Sequence, residues 1–437
     1  MKATTLSATR TFLILLGLLP ALCSASTPLP PGIETLHQSL WQSFVAEPQG
    51  LLLDYTLGGD PSLLPRADEA AAGKPNAISW WTPMENGAFF TGLYIDGIVR
   101  RFEMTKSDED RTKASKLARG LMLCASVGTT PGFVARGVLA DGKSHYGIGS
   151  DDQTAPWFYG LSRYVRSGIP DEAEKKQIVA KMVEVAVAIR RAGWQMPCDA
   201  IGDLKPGQYR GGWSGSDYRS VSRLLFVTRI LFELTGDPTW SKMHDGYLQE
   251  KMPNGQTRLE IVARGIPGEW AEHPALANEH IYIYVVSQAM VAELLAFETR
   301  AEVAAQYAES LAAGVRACAG RTTADVSRLG TAPFRTDWRS MNELWHPQTT
   351  TGEAVDLALK QLQFWSNKGR GIEAQSLREP FCAAWITVLG SAKPDPELVE
   401  KLAATIRSVA WDKVSSSAGF FGECAWYASQ PESRPLP

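Results

Sequence analysis

The sequence predicts an all-α protein, and three observations support this fold class. Apolar residues recur at helical spacing in paired segments, each pair is joined by a short polar turn, and segments with strand-like alternation are scarce. Hydrophobic residues make up 44 % and charged residues 21 % of the 437 residues, so the chain has enough apolar material for a large buried core.

The periodic segments are predicted to form helical hairpins and two further helices. The hairpins are predicted at 87–104 with 109–127, 152–165 with 171–192, 217–234 with 240–251, 278–297 with 301–317, and 379–389 with 396–409, and the further helices at 33–45 and 353–365. Several second helices begin with acids, as in Pro170-Asp171-Glu172. Free backbone N–H groups and the helix dipole favour negative charge at that position.

The connections between hairpins are long, whereas the turns inside them are short. The long connections cover 78–86, 147–153, 209–217, 269–280 and 337–346, and they are rich in acidic, aromatic and polar residues. Because successive hairpins alternate in direction, these connections fall at one end of the fold. An open solenoid would spread them along an edge. A closed (α/α)6 toroid of about six hairpins would gather them around one cavity, and we expect this toroid as a single domain over 27–437.

The first 26 residues are predicted to be a signal peptide. Lys2 and Arg10 supply the positive region, 11–22 is apolar, and Ser24-Ala25-Ser26 is a small-residue cleavage site. The apolar stretch is short for a membrane span, and Pro20 interrupts it. We therefore expect cleavage and a secreted or periplasmic protein, with no later segment that crosses a membrane.

Charge and motifs exclude several function classes. The net charge is −3 and there is no basic stripe, which argues against a nucleic-acid or membrane partner. The sequence contains no HExxH, GxSxG, P-loop or strand-end GxGxxG motif, so we expect no bound metal or cofactor and no serine-hydrolase or nucleotide chemistry. The carboxylate clusters of the connections leave a Ca²⁺ site as the alternative. The cysteines after the predicted leader are scattered without a CxxC pair, which argues against a zinc site. The sequence carries no signal for the oligomeric state.

Two adjacent acids give the strongest indication of catalysis. Asp151 and Asp152 lead directly into an apolar helix. One acid at a helix start is commonly a cap. A second acid beside it is harder to explain as a cap, because repulsion between the two charges raises one pKa. A raised carboxyl pKa suits a general acid, so we predict that at least one of the two is catalytic.

Two further acids begin other predicted helices. Glu85 precedes the helix at 87–104, and Asp217 precedes the helix after the Gly-rich connection. Each is also explained as a helix cap. If the connections meet around one cavity, these acids join Asp151 and Asp152 as catalytic candidates, because glycoside cleavage uses paired carboxylates.

Residues of the same connections are predicted to bind substrate. Aromatic rings offer flat faces to sugar rings, and arginine forks suit the carboxylate of a uronic acid. The predicted substrate-binding residues are Trp81, Arg136, Arg210, Trp213, Tyr218, Glu279, His280, Arg339 and His346. The partner we expect is therefore a carbohydrate, and a uronic-acid-containing one.

The Asp151-Asp152 pair, followed by an apolar helix with Pro156, resembles a known group of enzymes. The chain is similar to the (α/α)6-toroid carbohydrate-active enzymes, nearest the unsaturated glucuronyl and rhamnogalacturonyl hydrolases and related β-glucuronidases. The resemblance implies that one Asp protonates the substrate and activates water, a role that falls on Asp151 first and Asp152 second. The sequence departs from the group at Gln153-Thr154, where a Met-containing apolar stretch is usual.

Three functions follow from this reading of the sequence. The first is a secreted glycoside hydrolase acting on a uronic-acid-containing oligo- or polysaccharide by carboxylate acid/base catalysis. The second is a polysaccharide lyase on such a glycan, for which Tyr209, Tyr218 or His280 is the candidate base and Arg136 or Asn278 the group that neutralises the uronate. The third is a non-catalytic glycan-binding protein.

Overall fold

The computed structural model describes residues 29–266, 281–335, 337–363 and 368–431. These residues are mostly helical, which confirms the predicted all-α class. The strands form two small antiparallel sheets, β1 (Val45–Ala46) with β2 (Leu51–Leu52) and β3 (Gln195–Pro197) with β4 (Tyr209–Gly212). The predicted signal peptide at 1–26 lies outside the described residues.

Sixteen α-helices are found in the described part of the chain. They are α1 (Pro31–Ser43), α2 (Ala67–Ala71), α3 (Gly87–Thr105), α4 (Asp108–Cys124), α5 (Asp151–Arg166), α6 (Glu172–Arg191), α7 (Tyr218–Thr235), α8 (Pro238–Gln249), α9 (Arg258–Ala263), α10 (Tyr282–Phe297), α11 (Ala301–Cys318), α12 (Thr351–Leu362), α13 (Lys368–Glu373), α14 (Glu379–Leu389), α15 (Pro396–Ser408) and α16 (Gly419–Ser429). Each predicted hairpin is confirmed to within a few residues, except that the start predicted at 278 lies outside the described residues. A π-helical turn, Ala374–Arg378, joins α13 to α14.

Six helices, α3, α5, α7, α10, α14 and α16, contact one another in that order, and α16 contacts α3. We call these the inner helices. The outer helices α1, α4, α6, α8, α11 and α15 each pack against an inner helix. Burial explains the division. Helix α5 is buried at every position from 153 to 165, whereas α6 buries only a stripe at helical spacing, such as Ile178, Met182 and Val185.

Inner helices that contact each other run in the same direction. Early residues of α3 meet early residues of α5, and Asp96, further along α3, pairs with Arg163, further along α5, at 2.6 Å. Helix α7 is likewise parallel to α10, because Tyr218 contacts Gln288 and Arg229 contacts the carbonyl of Phe297. The N-terminal ends of these inner helices therefore lie at one end of the fold, and their C-terminal ends lie at the other.

The contact between α3 and α5 depends on glycine. A Cβ added at Gly92 would overlap the carbonyl of Pro156, and one added at Gly160 would overlap the carbonyl of Gly92. The two backbones therefore touch without side chains between them. This approach brings the start of α5 next to the start of α3, where the backbone N–H of Phe89 donates to Gln153 at 2.9 Å.

A buried ion network closes the opposite end of the inner helices. Asp96 accepts from Arg100 at 2.9 Å and from Arg163 at 2.6 Å, and Glu293 pairs with Arg163 and Arg166. Burial alone would raise the pKa of Asp96, but the two guanidinium groups outweigh it and lower the pKa to about 2. Arginines near helix C-termini also interact favourably with the helix dipoles.

We predict that Gly92→Ala lowers the free energy of unfolding by about 1–3 kcal/mol, because the new methyl group must separate α3 from α5. Gly246→Ala is the matched control, since Gly246 lies within α8 and an added Cβ there meets nothing within 4 Å. The control should gain up to about 1 kcal/mol from helix propensity. Denaturant unfolding followed by circular dichroism measures both. Equal stability of the two variants would contradict the glycine contact.

Candidate active site

The N-terminal ends of the inner helices carry most of the predicted catalytic residues. The turn before α3 supplies Glu85, the first turn of α5 supplies Asp151 and Asp152, and the connection between α4 and α5 supplies Arg136. The structure brings these four together. Arg136 donates its Nε–H to the carbonyl of Glu85 at 2.7 Å, and its Nη1 lies 3.7 Å from Asp152.

Asp151 and Asp152 have different arginine partners. Asp151 pairs with Arg223, a fully buried side chain of α7, whereas Asp152 accepts from the hydroxyl of Ser150 and faces Arg136. Their side chains are 25 % and 29 % exposed, so a ligand can reach both. No local pattern marks Arg223, in the second turn of an amphipathic helix, as part of the site.

The different partners separate the protonation behaviour of the two acids. Burial raises the pKa of Asp151, and repulsion from Asp152 adds to the rise despite the opposing charge of Arg223. Burial also acts to raise the pKa of Asp152, but Arg136 and Arg210 outweigh it, so this pKa is lowered. The pair therefore provides one carboxyl suited to carrying a proton and one that stays ionised.

Gly211 fixes the position of Asp151. It lies in β4 with a positive φ of 74°, and a Cβ added there would overlap the carboxylate of Asp151. No other residue type combines this backbone conformation with the required space. Gly211, within the Gly-rich connection predicted at 209–217, therefore leaves the space that the Asp151 carboxylate occupies.

A second pair of acids, Asp54 and Glu85, lies beside the first. Asp54 follows β2, and Asn86 donates its backbone N–H and its Nδ2–H to the two carboxylate oxygens at 2.8 Å each. Arg370 of α13 pairs with Glu85 and lies 3.6 Å from Asp54. Burial and the charge of Glu85 raise the pKa of Asp54 to about 7. Asp54 was not among the residues that the sequence predicted.

The two pairs of acids are joined by a polar bridge. Arg136 contacts the carbonyl of Glu85 with its Nε–H and donates its Nη1–H to Ser150 at 2.8 Å. Gln153 donates to the Oδ1 of Asn86 at 3.1 Å. Gln153, the point at which the sequence departs from the group it resembles, therefore links the starts of α5 and α3.

Two tryptophans lie next to Glu85. Trp80 and Trp81 are half-buried, and Trp81 has a positive φ of 75°, as does Ser79 before it at 67°. Non-glycine residues adopt this conformation only when neighbours hold them there. Here the N–H of Trp81 donates to Glu85 at 2.6 Å, and the guanidinium of Arg210 lies 5.2 Å from the ring centre of Trp80. The predicted residues Trp81 and Arg210 thus border the acids.

Three predicted residues have structural contacts instead. Asp217 caps α7 by accepting from two backbone N–H groups, and its side chain is 53 % exposed. Trp213 is fully buried against Trp194 and Phe158, so its ring offers no face to a sugar. The Gly-rich, polar connection around Trp213 suggested that its ring is exposed, but the ring packs in the hydrophobic core. Tyr218 is also buried, and its hydroxyl donates to Gln288 at 3.3 Å.

Two further predicted residues, Arg339 and His346, contact other parts of the chain. Arg339 pairs with Glu69 at 2.7 Å, and its guanidinium lies against the ring of Trp338. His346 is exposed, and its Nδ1 lies 2.9 Å from the carbonyl of Pro347. Glu279 and His280 lie outside the described residues.

Comparison of the chain with protein-family models, curated proteins and solved structures finds no match. Within the described ranges, no helix combines the length and apolar character that a membrane crossing requires. The same residues contain no group of three or more His, Cys, Asp or Glu side chains arranged to hold a metal ion. The geometry of the site is therefore the basis for assigning a function.

We predict that Gly211→Ala is less stable than Gly207→Ala. Both glycines have positive φ, 74° and 78°, so each alanine carries a backbone cost of about 1–2 kcal/mol. An added Cβ at Gly207 meets nothing within 4 Å, whereas one at Gly211 overlaps Asp151. Gly211→Ala should therefore lose roughly a further 1–3 kcal/mol in denaturant unfolding. Equal losses would show that Gly211 does not set the position of the carboxylate.

Proposed function

We propose that the helices form a closed (α/α)6 toroid, with the inner helices as its inner ring. The support is the order of contacts, which leads from α3 through the other inner helices to α16 and back to α3. Outer helices packed against each inner helix fit the same arrangement. In such a toroid the long connections surround one opening, which accounts for the gathering of acids at that end.

We propose that the protein is a glycoside hydrolase acting on a uronic-acid-containing oligo- or polysaccharide. The observation that carries this proposal is the pair of adjacent acids, Asp151 and Asp152, with opposite pKa shifts beside a second pair of acids. A proton donor and an ionised carboxylate at one site are the requirements for cleaving a glycosidic bond. The predicted signal peptide supports action outside the cytoplasm.

In this proposal Asp151 donates the proton to the departing sugar oxygen. Its raised pKa favours the protonated form, and its partial exposure lets a substrate approach. Asp152, kept ionised by Arg136 and Arg210, stabilises the positive charge that develops on the sugar ring. The adjacent tryptophans, Trp80 and Trp81, offer apolar ring surface to the sugar.

The arginines of the site favour an acidic sugar. Four guanidinium groups lie among the two pairs of acids, namely Arg136, Arg210, Arg223 and Arg370. They equal the four carboxyl groups in number, and two of those carboxyl groups, Asp54 and Asp151, have raised pKa values that reduce their negative charge. The positive balance suits the carboxylate of a uronic acid, which arginine binds well.

A lyase receives less support from the described residues. A lyase base must lose its proton near the working pH. Burial raises the pKa of Tyr218 and of Tyr282 above the ordinary tyrosine value, so neither is suited to this role. Of the other residues predicted for a lyase, His280 and Asn278 lie outside the described residues, whereas Tyr209 is exposed on β4 and Arg136 lies at the acids.

We expect the purified protein to cleave at least one member of a panel of uronic-acid oligosaccharides, including saturated and unsaturated ends, with the products gaining the mass of water. A hydrolase forms no new double bond, so absorbance near the unsaturated-uronate band should not rise. Mass spectrometry and ultraviolet absorbance on the same reactions make both measurements. Rising absorbance would indicate a lyase, and retention on immobilised glycan without turnover would indicate a binding protein.

We predict that Asp151→Asn and Asp152→Asn each lower kcat by about 10²–10⁴-fold, which is the usual contribution of a group that transfers protons or stabilises charge. Asp171→Asn is the matched control, because Asp171 is also an acid at a helix start and caps α6. Asparagine caps helices as well as aspartate does, so all three variants should stay folded. Full activity in both Asp151→Asn and Asp152→Asn would contradict the assignment.

A further inference from the structure

A small cavity lies beside Asp54, one of the second pair of acids. It has a volume of about 20 Å³ and is bordered by Asp54, Phe90, Arg370, Arg378 and Ser416. This is room for about one water molecule and far too little for a sugar ring. The cavity adjoins the start of α3, the π-helical turn and the segment before α16.

The walls of the cavity are suited to holding a water molecule. Each oxygen of Asp54 accepts one hydrogen bond from Asn86, and a carboxylate oxygen can accept a second. The hydroxyl oxygen of Ser416 is buried, and its hydrogen can turn toward Glu373, which leaves the lone pairs of the oxygen for a water molecule. A water needs two to four polar neighbours, which Asp54, Ser416 and the bordering guanidinium groups provide.

We propose that Asp54 is the general base that holds and deprotonates the hydrolytic water in this cavity. The inference rests on the proposed glycoside hydrolysis. In the step, the water gives one proton to Asp54 and its oxygen bonds to the anomeric carbon. The bond from that carbon to the leaving oxygen breaks, and this oxygen takes the proton of Asp151. The products are the free sugar and the released alcohol, so the atoms of one water are consumed.

The neighbouring acids are less suited to this role. Glu85 is held by Arg370 and by the N–H of Trp81. Glu373 accepts from the backbone N–H groups of Ser415 and Ser416 at 3.0 and 2.8 Å and does not border the cavity. Of these three acids, only Asp54 both borders the cavity and accepts a hydrogen bond on each of its carboxylate oxygens.

The surroundings of Asp54 also make it an adequate base. The titratable and charged groups that face it are Tyr55, Glu85, Arg136, Tyr282, Arg370 and Arg378. Burial and Glu85 raise its pKa to about 7. A base must be ionised, so the wild-type rate should fall as the pH drops through about 7. The residual activity of Asp54→Asn should not show this fall in rate at low pH.

The test compares two leaving groups on the uronide that the wild-type protein cleaves. One substrate releases a sugar alcohol, which needs a proton, and the other is the glycosyl fluoride, whose fluoride leaves without one. Asp54→Asn should lose about 10²–10⁴-fold on both substrates, because both need an activated water. Asp151→Asn should lose activity on the first substrate and recover most of it on the fluoride.

Asp110→Asn is the control for removing a buried carboxylate. Asp110 accepts from Arg101 at 2.7 Å near the opposite end of α3, so its removal should leave the rate on both substrates unchanged. Circular dichroism checks that each variant is folded.

A separate base also requires that the wild-type product have the inverted anomeric configuration, which proton NMR of the fresh product reports without any variant. Inversion together with a loss on both substrates in Asp54→Asn supports the proposal. Retention, a rate within about threefold of wild type in Asp54→Asn, or its recovery on the fluoride would each overturn it. Failure of the hydrolase proposal itself would be seen differently, as no turnover of any substrate by the wild-type protein.

Discussion

The site depends on the parallel packing of the inner helices, and the closest of these contacts is the one between α3 and α5. Gly92 and Gly160 let the two backbones touch, so the first turns of both helices lie side by side. Helix N-termini carry unpaired N–H groups and a partial positive charge. This partial charge adds to that of Arg223, Arg136 and Arg370, which pair with the acids gathered there. The glycine contact therefore makes it feasible to place Asp151 and Asp152 next to Asn86 and the second pair of acids.

The opposite end of the same helices carries the complementary charge. Arg100, Arg163 and Arg166 lie near helix C-termini and pair with Asp96 and Glu293 in a buried network. Removing one partner of a buried ion pair leaves an uncompensated charge, which is strongly unfavourable. The network therefore favours the observed alignment of α3, α5 and α10 along their axes. The same alignment places the first turns of these helices, with their acids, at the other end.

The helical pairs and three of the four acids of the candidate site could be predicted from the sequence, because each is indicated by a local sequence pattern. Apolar periodicity marks the helices, and acids at helix starts mark Glu85, Asp151 and Asp152. Asp54 carries no such signal, since it follows a two-residue strand and meets Asn86 across 32 positions and Arg370 from another part of the chain. Trp213 shows the reverse error. Its polar, Gly-rich surroundings suggested exposure, yet core packing decides where a large ring lies.

The two pairs of acids differ in how their charges are balanced, and this difference determines what each can do. Asp152 faces Arg136 and Arg210, so its pKa is lowered, whereas Asp151 shares its surroundings with another acid and keeps a raised pKa despite Arg223. Asp54 is raised by burial and by Glu85, although Arg370 opposes the shift. The acids with raised pKa values, Asp151 and Asp54, thus belong to different pairs, and Arg136 links the two pairs. Hydrolysis requires a proton to be delivered on one side of a sugar and taken up on the other, and this arrangement of charges is suited to both steps.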